Sequence, residues 1–193
     1  MTPEVLAGWS ALVAAVATVF GAIALVLFFS RGQPWGTIND AASVVLMLAL
    51  IPVALLIAVL ESENRTTGAL AGAGLGIIAM VVAAGLQALL VVGRVTYEQT
   101  KGWVLLSGAV VGVWYLLVAF LADGSAIEGL LGTLAVASGI GFIAIGYGFA
   151  VGDERHPLSA LGGVVLLVAS TAFLAILGGR LVTGDLVAPT WNA

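Results

Sequence analysis

The sequence contains no cysteine and only one histidine, His156. Without cysteine the chain forms no disulfide, thiolate metal site, iron–sulfur cluster or thiol nucleophile. One histidine cannot supply both axial ligands of a bis-histidine haem. His156 lies in a polar stretch beside Asp153, Glu154 and Arg155. We therefore predict a solvated loop histidine, and neither a metal nor a cofactor.

Charged residues are also scarce. They make up 8% of the 193 residues, whereas hydrophobic residues make up 62%. A soluble domain carries about 25% charged residues because its surface faces water. The net charge of −4 is scattered and forms no basic patch. Nucleic acid is therefore not an expected partner, and membrane lipid is.

The apolar residues lie in long runs, and each run is about long enough for a helix to cross a bilayer. The sequence predicts an all-α integral membrane protein, a bundle of six transmembrane helices with short loops in one domain that covers residues 1–193. Consecutive helices should be antiparallel neighbours because the polar connections are short. The expected spans are about 9–29, 41–60, 68–92, 102–121, 129–151 and 158–177.

Several residues indicate helix ends. Asn39 and Asp40 precede the second span, where they can cap free backbone N–H groups. Pro157 is expected in the first turn of the sixth span, where its missing N–H group costs nothing. Glu4 and the long first apolar run predict a first span rather than a cleavable signal. Further end signals are Asp123, Ser125 and Glu128, and the expected interfacial tryptophans are Trp9, Trp35, Trp103 and Trp191.

Orientation follows from the basic residues. The first, third and fifth connections carry Arg31, Arg94, Lys101 and Arg155, whereas the second and fourth carry only Arg65. Because cytoplasmic loops are richer in lysine and arginine, both termini are predicted outside. The abundance of alanine, glycine and valine favours a prokaryotic plasma membrane.

The two halves of the chain share sequence features about ninety residues apart. Gly8-Trp9 and Gly102-Trp103 each open a span, and an acidic residue precedes the second and the fifth span. Two copies of three spans would have opposite orientations, giving a 3+3 inverted repeat as in some transporters. The alternative is coincidence, because any chain of apolar helices with polar turns matches itself at the span period. Both explanations stay open.

Glycines recur every four residues on three spans, and such stripes let helices approach closely in lipid. They predict either packing within the bundle or contact with a second copy or a partner subunit. The short glycine spacing from Gly139 to Gly148 predicts close packing or a bend. The stripe residues are Gly68, Gly72, Gly76, Gly108, Gly112, Gly148 and Gly152.

Gln87 is the one strongly polar side chain well inside a span, and its amide needs a partner that lipid does not offer. It either bonds to a neighbouring helix or lines a cavity or pore. Pro52 should kink the second span, and kinks often border cavities. With Tyr115, Tyr147 and Ser138 these residues are the candidate ligand-binding or pore-lining set.

No ionisable residue lies near the centre of any span, which argues against a proton or cation pathway. Ser138 and His156 are too far apart in sequence to act as a nucleophile and base on one helix face. No catalytic residue is therefore predicted, and a function without catalysis is favoured over an enzyme.

Three functions remain. The first is an accessory or packing subunit, or a binder of an apolar small molecule or lipid. The second is a small-solute transporter or channel built from two inverted three-helix repeats. The third is an intramembrane lipid-modifying enzyme with polar groups at the interface, namely Asp40, Asn39, Arg94, Glu98 and Arg155.

Overall fold

The computed structural model describes residues 1–121, 127–152 and 156–186, with the side chains of 61–66 excepted. Over these residues the chain is helical and contains no strand, as the sequence predicts. The elements are α1 (Pro3–Arg31), α2 (Trp35–Val91), α3 (Tyr97–Leu121), α4 (Leu130–Val151) and α5 (Pro157–Thr183). The predictions for Asp123, Ser125, Asp153, Glu154, Arg155 and Trp191 lie outside the described residues.

Helix α2 contains two spans, which we call the N-arm (Trp35–Leu60) and the C-arm (Thr67–Val91). In a straight helix Ala54 and Ala73 would lie about 28 Å apart along the axis. Instead both residues line one small void together with Trp114 of α3. The two arms therefore lie side by side, and α2 reverses direction between them. The reversal falls between Leu60 and Thr67, where the sequence predicts a break, and the backbone there is helical.

Two helix starts differ from prediction. The proposed cap at Asn39 and Asp40 is wrong, because α2 begins earlier, at Trp35. The Thr37 N–H group donates to Gln33 Oε1 over 3.2 Å, so a glutamine side chain serves the start of this helix. His156 is more than a solvated loop residue. It is the N-cap of α5, where its Nδ1 accepts from the Leu158 N–H group over 3.3 Å.

The helices form a closed ring in chain order. Each element packs against the next one along the chain, and α5 packs against α1. Gly21 of α1 faces Ala42 of the N-arm, and Gly72 of the C-arm faces Leu117 of α3. Gly8 near the start of α1 faces Leu181 near the end of α5. The beginning of α1 and the end of α5 therefore lie at the same end of the bundle.

This cyclic order does not support the predicted inverted repeat. Viewed from one side of the membrane, consecutive helices follow one another either clockwise or anticlockwise around a ring. A half-turn about an axis in the membrane plane exchanges these two senses. Chain order advances around this ring in a single direction. The first three helices therefore cannot be carried onto the last three by such a half-turn.

The outer surface of the ring is strongly apolar. Val16, Phe120 and Val168 are 69%, 72% and 64% exposed. All six helices are long and apolar enough to cross a membrane. A surface of large aliphatic and aromatic side chains is unfavourable in water. By length and composition, the described part of the chain therefore contains six helices suited to a membrane.

Candidate functional site

A central cavity of about 250 Å³ is lined by all six helices. It lies in the half of the bundle next to the α1–α2, α2–α3 and α4–α5 connections. Its lining comes from the second half of α1, the start of the N-arm and the end of the C-arm. The starts of α3 and α5 and the end of α4 complete it. The ring of helices thus encloses a space that no single helix could form.

The cavity wall is largely apolar and contains no ionisable side chain among the described residues. Its polar side chains are Thr18, Asn39, Ser43 and Gln87. Thr18 donates to the Ala14 carbonyl over 2.8 Å, and Ser43 donates to the Asn39 carbonyl over 3.0 Å. Both hydroxyls are therefore satisfied by their own helices. The Asn39 amide is hydrogen-bonded to the Asp40 carboxylate, so the Gln87 amide remains as the group best suited to a bound molecule.

Gln87 is on the C-arm and is the polar residue that the sequence singles out. Its side chain lines the cavity, and its Oε1 atom is buried without a hydrogen-bond partner. A buried acceptor without a donor costs about 1–3 kcal/mol. Because Oε1 is screened from the cavity space, the amide must first turn toward the cavity before an O–H or N–H group of a bound molecule can reach it.

Aromatic side chains close the cavity toward the opposite end of the bundle. Phe142 lines the cavity and stacks on Tyr115 with ring centroids 6.0 Å apart. Tyr115 also meets Phe173 edge-on at 5.5 Å and Trp114 at 4.7 Å. The Tyr115 hydroxyl is hydrogen-bonded to Ser170 Oγ over 3.2 Å. We call Trp114, Tyr115, Phe142 and Phe173 the aromatic floor.

The other predicted lining residues lie elsewhere. Tyr147 is 58% exposed on the outer surface, so it faces away from the cavity. Ser138 is fully buried and donates to the Leu134 carbonyl over 2.7 Å. Pro52 lies in the N-arm and does not line the central cavity. Tyr115 lies one layer below the cavity, in the aromatic floor.

The predicted glycine stripes face neighbouring helices of the same chain. A methyl group placed on Gly76 would lie 2.6 Å from Trp114, and one on Gly72 would lie 3.4 Å from Leu117. Gly68 faces Leu121, Gly108 faces Phe142, Gly148 faces Ser159 and Gly152 faces His156. Gly72, Gly76 and Gly148 are buried within the bundle, whereas Gly68 and Gly152, at the ends of their stripes, are exposed.

Three close helix contacts are made by reciprocal glycine pairs. The pairs are Gly8–Gly178 between α1 and α5, Gly112–Gly139 between α3 and α4, and Gly141–Gly162 between α4 and α5. In the Gly112–Gly139 pair, a methyl group on either residue would lie within 2.8 Å of the other residue's carbonyl oxygen. Of these six residues, only Gly112 belongs to a predicted four-residue stripe. Gly139 and Gly141 lie in the run whose short glycine spacing predicts close packing or a bend.

Chemistry-bearing side chains are not brought together. The described residues contain no group of three histidine, aspartate or glutamate side chains that could hold a metal ion. Ser138 lies about 20 Å along α4 from the end near His156. No protein-family model, curated protein or solved structure matches this chain. The cavity is therefore the feature from which a function can be argued.

Proposed function

We propose that this chain is an integral membrane protein that binds one small, uncharged, mainly apolar molecule in the central cavity. The observation that carries the proposal is a cavity lined by every helix, with one buried polar acceptor, Gln87 Oε1, left unpartnered. A volume of 250 Å³ corresponds to roughly eight water molecules at about 30 Å³ each. The ligand is accordingly small, of the size of a substituted benzene ring.

The ligand should carry a hydrogen-bond donor. Lipid tails are as apolar as the cavity wall, so an entirely apolar molecule gains little by leaving the bilayer for the cavity. A molecule with one hydroxyl or N–H group does gain, because its donor is unsatisfied in lipid and can pair with Gln87. A charged ligand is disfavoured because no opposite charge lines the cavity.

The test measures saturable binding of 4-fluorophenol and of fluorobenzene by ¹⁹F NMR, using the protein in lipid nanodiscs. Gly163 lines the cavity and has open space where a side chain would start, so Gly163→Leu should fill the cavity. Gly179→Leu is the matched control, because Gly179 is on the same helix, has the same open space and does not line the cavity. We expect 4-fluorophenol to bind the wild type and the control but not Gly163→Leu.

Fluorobenzene should bind the wild type about tenfold more weakly than 4-fluorophenol, because it cannot donate to Gln87. Gln87→Leu should remove that preference. The proposal would be contradicted by equal saturable binding of 4-fluorophenol to the wild type and Gly163→Leu, or by no saturable binding to either.

Transport of a small uncharged solute is the second candidate. The cavity occupies one half of the bundle and ends at the aromatic floor, and a carrier or channel closed on one side would have its solute site in such a position. Proteoliposomes that contain the protein should then re-swell faster with glycerol or urea after osmotic shock, and Gly163→Leu should abolish the difference. Identical traces with and without protein would reject transport of these solutes while leaving binding intact.

A further inference from the structure

A second concave surface, the outer groove, runs along the outside of the ring between α1 and the N-arm. It has a volume of about 560 Å³. Trp9, Phe20 and Ile38 form its sides, and Ala17, Ala41 and Ala42 form its base. The groove is almost wholly apolar and faces the region where lipid would lie.

The outer groove and the central cavity share a wall. Ala17 lines both of them, so at this point the wall is one alanine thick. Beside it, Gly21 lines the cavity and Ala42 lines the groove. A methyl group on Gly21 would lie 3.4 Å from the Ala42 Cβ atom, which is ordinary van der Waals contact. The Asn39 Oδ1 atom lies 3.6 Å from the same methyl position, and no aromatic or long aliphatic side chain lies within 4 Å of it.

We propose that the outer groove is a lipid-facing binding site and that its ligand enters the central cavity sideways, between α1 and the N-arm, at Ala17, Gly21 and Ala42. This inference rests on the proposed function. The occupant is the cavity ligand itself, an uncharged molecule with an apolar body dissolved in the bilayer. Its apolar body matches the groove, and its donor group becomes satisfied only after it passes the wall and reaches Gln87.

Separation of the two helices by a side chain's width at this wall would suffice for passage. The side chains at this wall are small: the Ala17 and Ala42 methyl groups flank the bare backbone of Gly21, and the Asn39 amide lies beside them. The same molecule would meet the aromatic floor if it approached from the opposite end of the bundle. A ligand dissolved in the bilayer therefore has a short path to the central cavity between α1 and the N-arm.

The test closes this wall with a disulfide. The natural chain has no cysteine, so the double variant Gly21→Cys/Ala42→Cys contains one defined thiol pair. The Cβ separation of 3.4 Å is close to the range of about 3.5–4.5 Å that disulfides adopt. The matched control is Gly72→Cys/Leu117→Cys, with a Cβ separation of 3.7 Å between the C-arm and α3, away from the cavity.

The measurement is the exchange rate of bound 4-fluorophenol with the lipid-dissolved pool, by ¹⁹F saturation transfer in nanodiscs. Oxidation of the Gly21/Ala42 pair should slow exchange at least tenfold, and reduction should restore it. Oxidation of the control pair should leave the rate within twofold. Ala17→Leu, which thickens the wall without a cross-link, should slow exchange in the same direction and serves if the double variant folds poorly.

Equal exchange rates in the oxidised and reduced Gly21/Ala42 protein would overturn the sideways route, with the cavity site still standing. Equal slowing by the control disulfide would overturn it as well, because any cross-link would then suffice. Absence of saturable binding in the reduced protein would instead contradict the proposed function itself. The failures of the two proposals are thus distinguishable.

Discussion

Gln87 places an amide oxygen inside an apolar bundle without a donor. Replacing it by leucine, which has a similar size, removes the unsatisfied acceptor. We expect Gln87→Leu to raise the free energy of unfolding by about 1–2 kcal/mol in ligand-free protein. Thermal unfolding in detergent, followed by circular dichroism, measures the change.

The same variant should lose its preference for 4-fluorophenol, so stability and binding change in opposite directions. A glutamine that serves only to join helices would behave differently, since its loss would lower stability. A less stable Gln87→Leu protein would therefore contradict the role proposed for this residue. Tyr147→Phe, at an exposed tyrosine, is a control that should alter neither property.

Tyr115 provides a second prediction at this scale. Tyr115→Phe keeps the ring contacts with Phe142 and Phe173 and removes only the hydrogen bond to Ser170. We expect Tyr115→Phe to lower the free energy of unfolding by about 1 kcal/mol, which is within the range for buried hydrogen bonds. Tyr115→Ala also removes the fully buried ring and should cost about 3–5 kcal/mol. Equal losses for the two variants would show that the ring contributes nothing.

The sequence identifies Gln87 because an amide is conspicuous in an apolar run. It does not separate Tyr115 from Tyr147, which are both tyrosines within spans. The difference is the rotation of each helix about its axis, and that depends on which neighbour it packs against. Asn39 was predicted as a cap and lies in the cavity wall, because the start of α2 at Trp35 carries it one turn into the helix.

Glycine pairs hold neighbouring elements together, and this leads to a prediction for α3. Gly112→Ala would place a methyl group 2.8 Å from the Gly139 carbonyl oxygen, so the two backbones must separate. We expect a loss of about 1–3 kcal/mol of stability. Gly74→Ala is the matched control, because a methyl group there meets nothing within 4 Å and alanine is the better helix former.

Gly74→Ala should leave stability unchanged or raise it by up to about 1 kcal/mol. Both variants are compared by thermal unfolding in the same detergent. A Gly112→Ala protein as stable as Gly74→Ala would show that the α3–α4 contact is looser than the structure describes.

The existence and number of the helices follow from the sequence, because runs of apolar residues about twenty long need no tertiary information. The ends were predicted less well, and α5 continues to Thr183, six residues past the expected end. Arg180 lies in that last turn, where a cation suits the helix C-terminus. The sixth span therefore includes a basic residue that lies three positions past its expected end.

For the whole molecule, charge predicts that the cavity half faces the cytoplasm and that both termini lie outside. Single cysteines in this cysteine-free chain can test the orientation with a membrane-impermeant maleimide. In intact cells, Thr183→Cys should be labelled and Val92→Cys should not, whereas both should react once the cells are opened. Both sites are exposed. The reverse pattern would place the termini in the cytoplasm.

The order of the helices around the ring was beyond the sequence. Short connections predict that neighbours along the chain are neighbours in space, but they do not predict that α5 returns to α1. That contact depends on Gly8 and Gly178, which lie in spans where glycine is common. Closure of the ring creates the cavity. The sequence could therefore identify the Gln87 amide as a candidate, but it could not predict the cavity that the amide lines.

Because the ring is closed, the first and last helices pack against each other as the other neighbouring helices do. The seam between α1 and α5 is packed by a glycine pair like those inside the chain. A circular permutant that begins near Gly93 and joins the end of α5 to the start of α1 through a short linker would retain all five helix pairings. In such a protein the helices would follow one another in a different order along the chain and would surround the same central cavity.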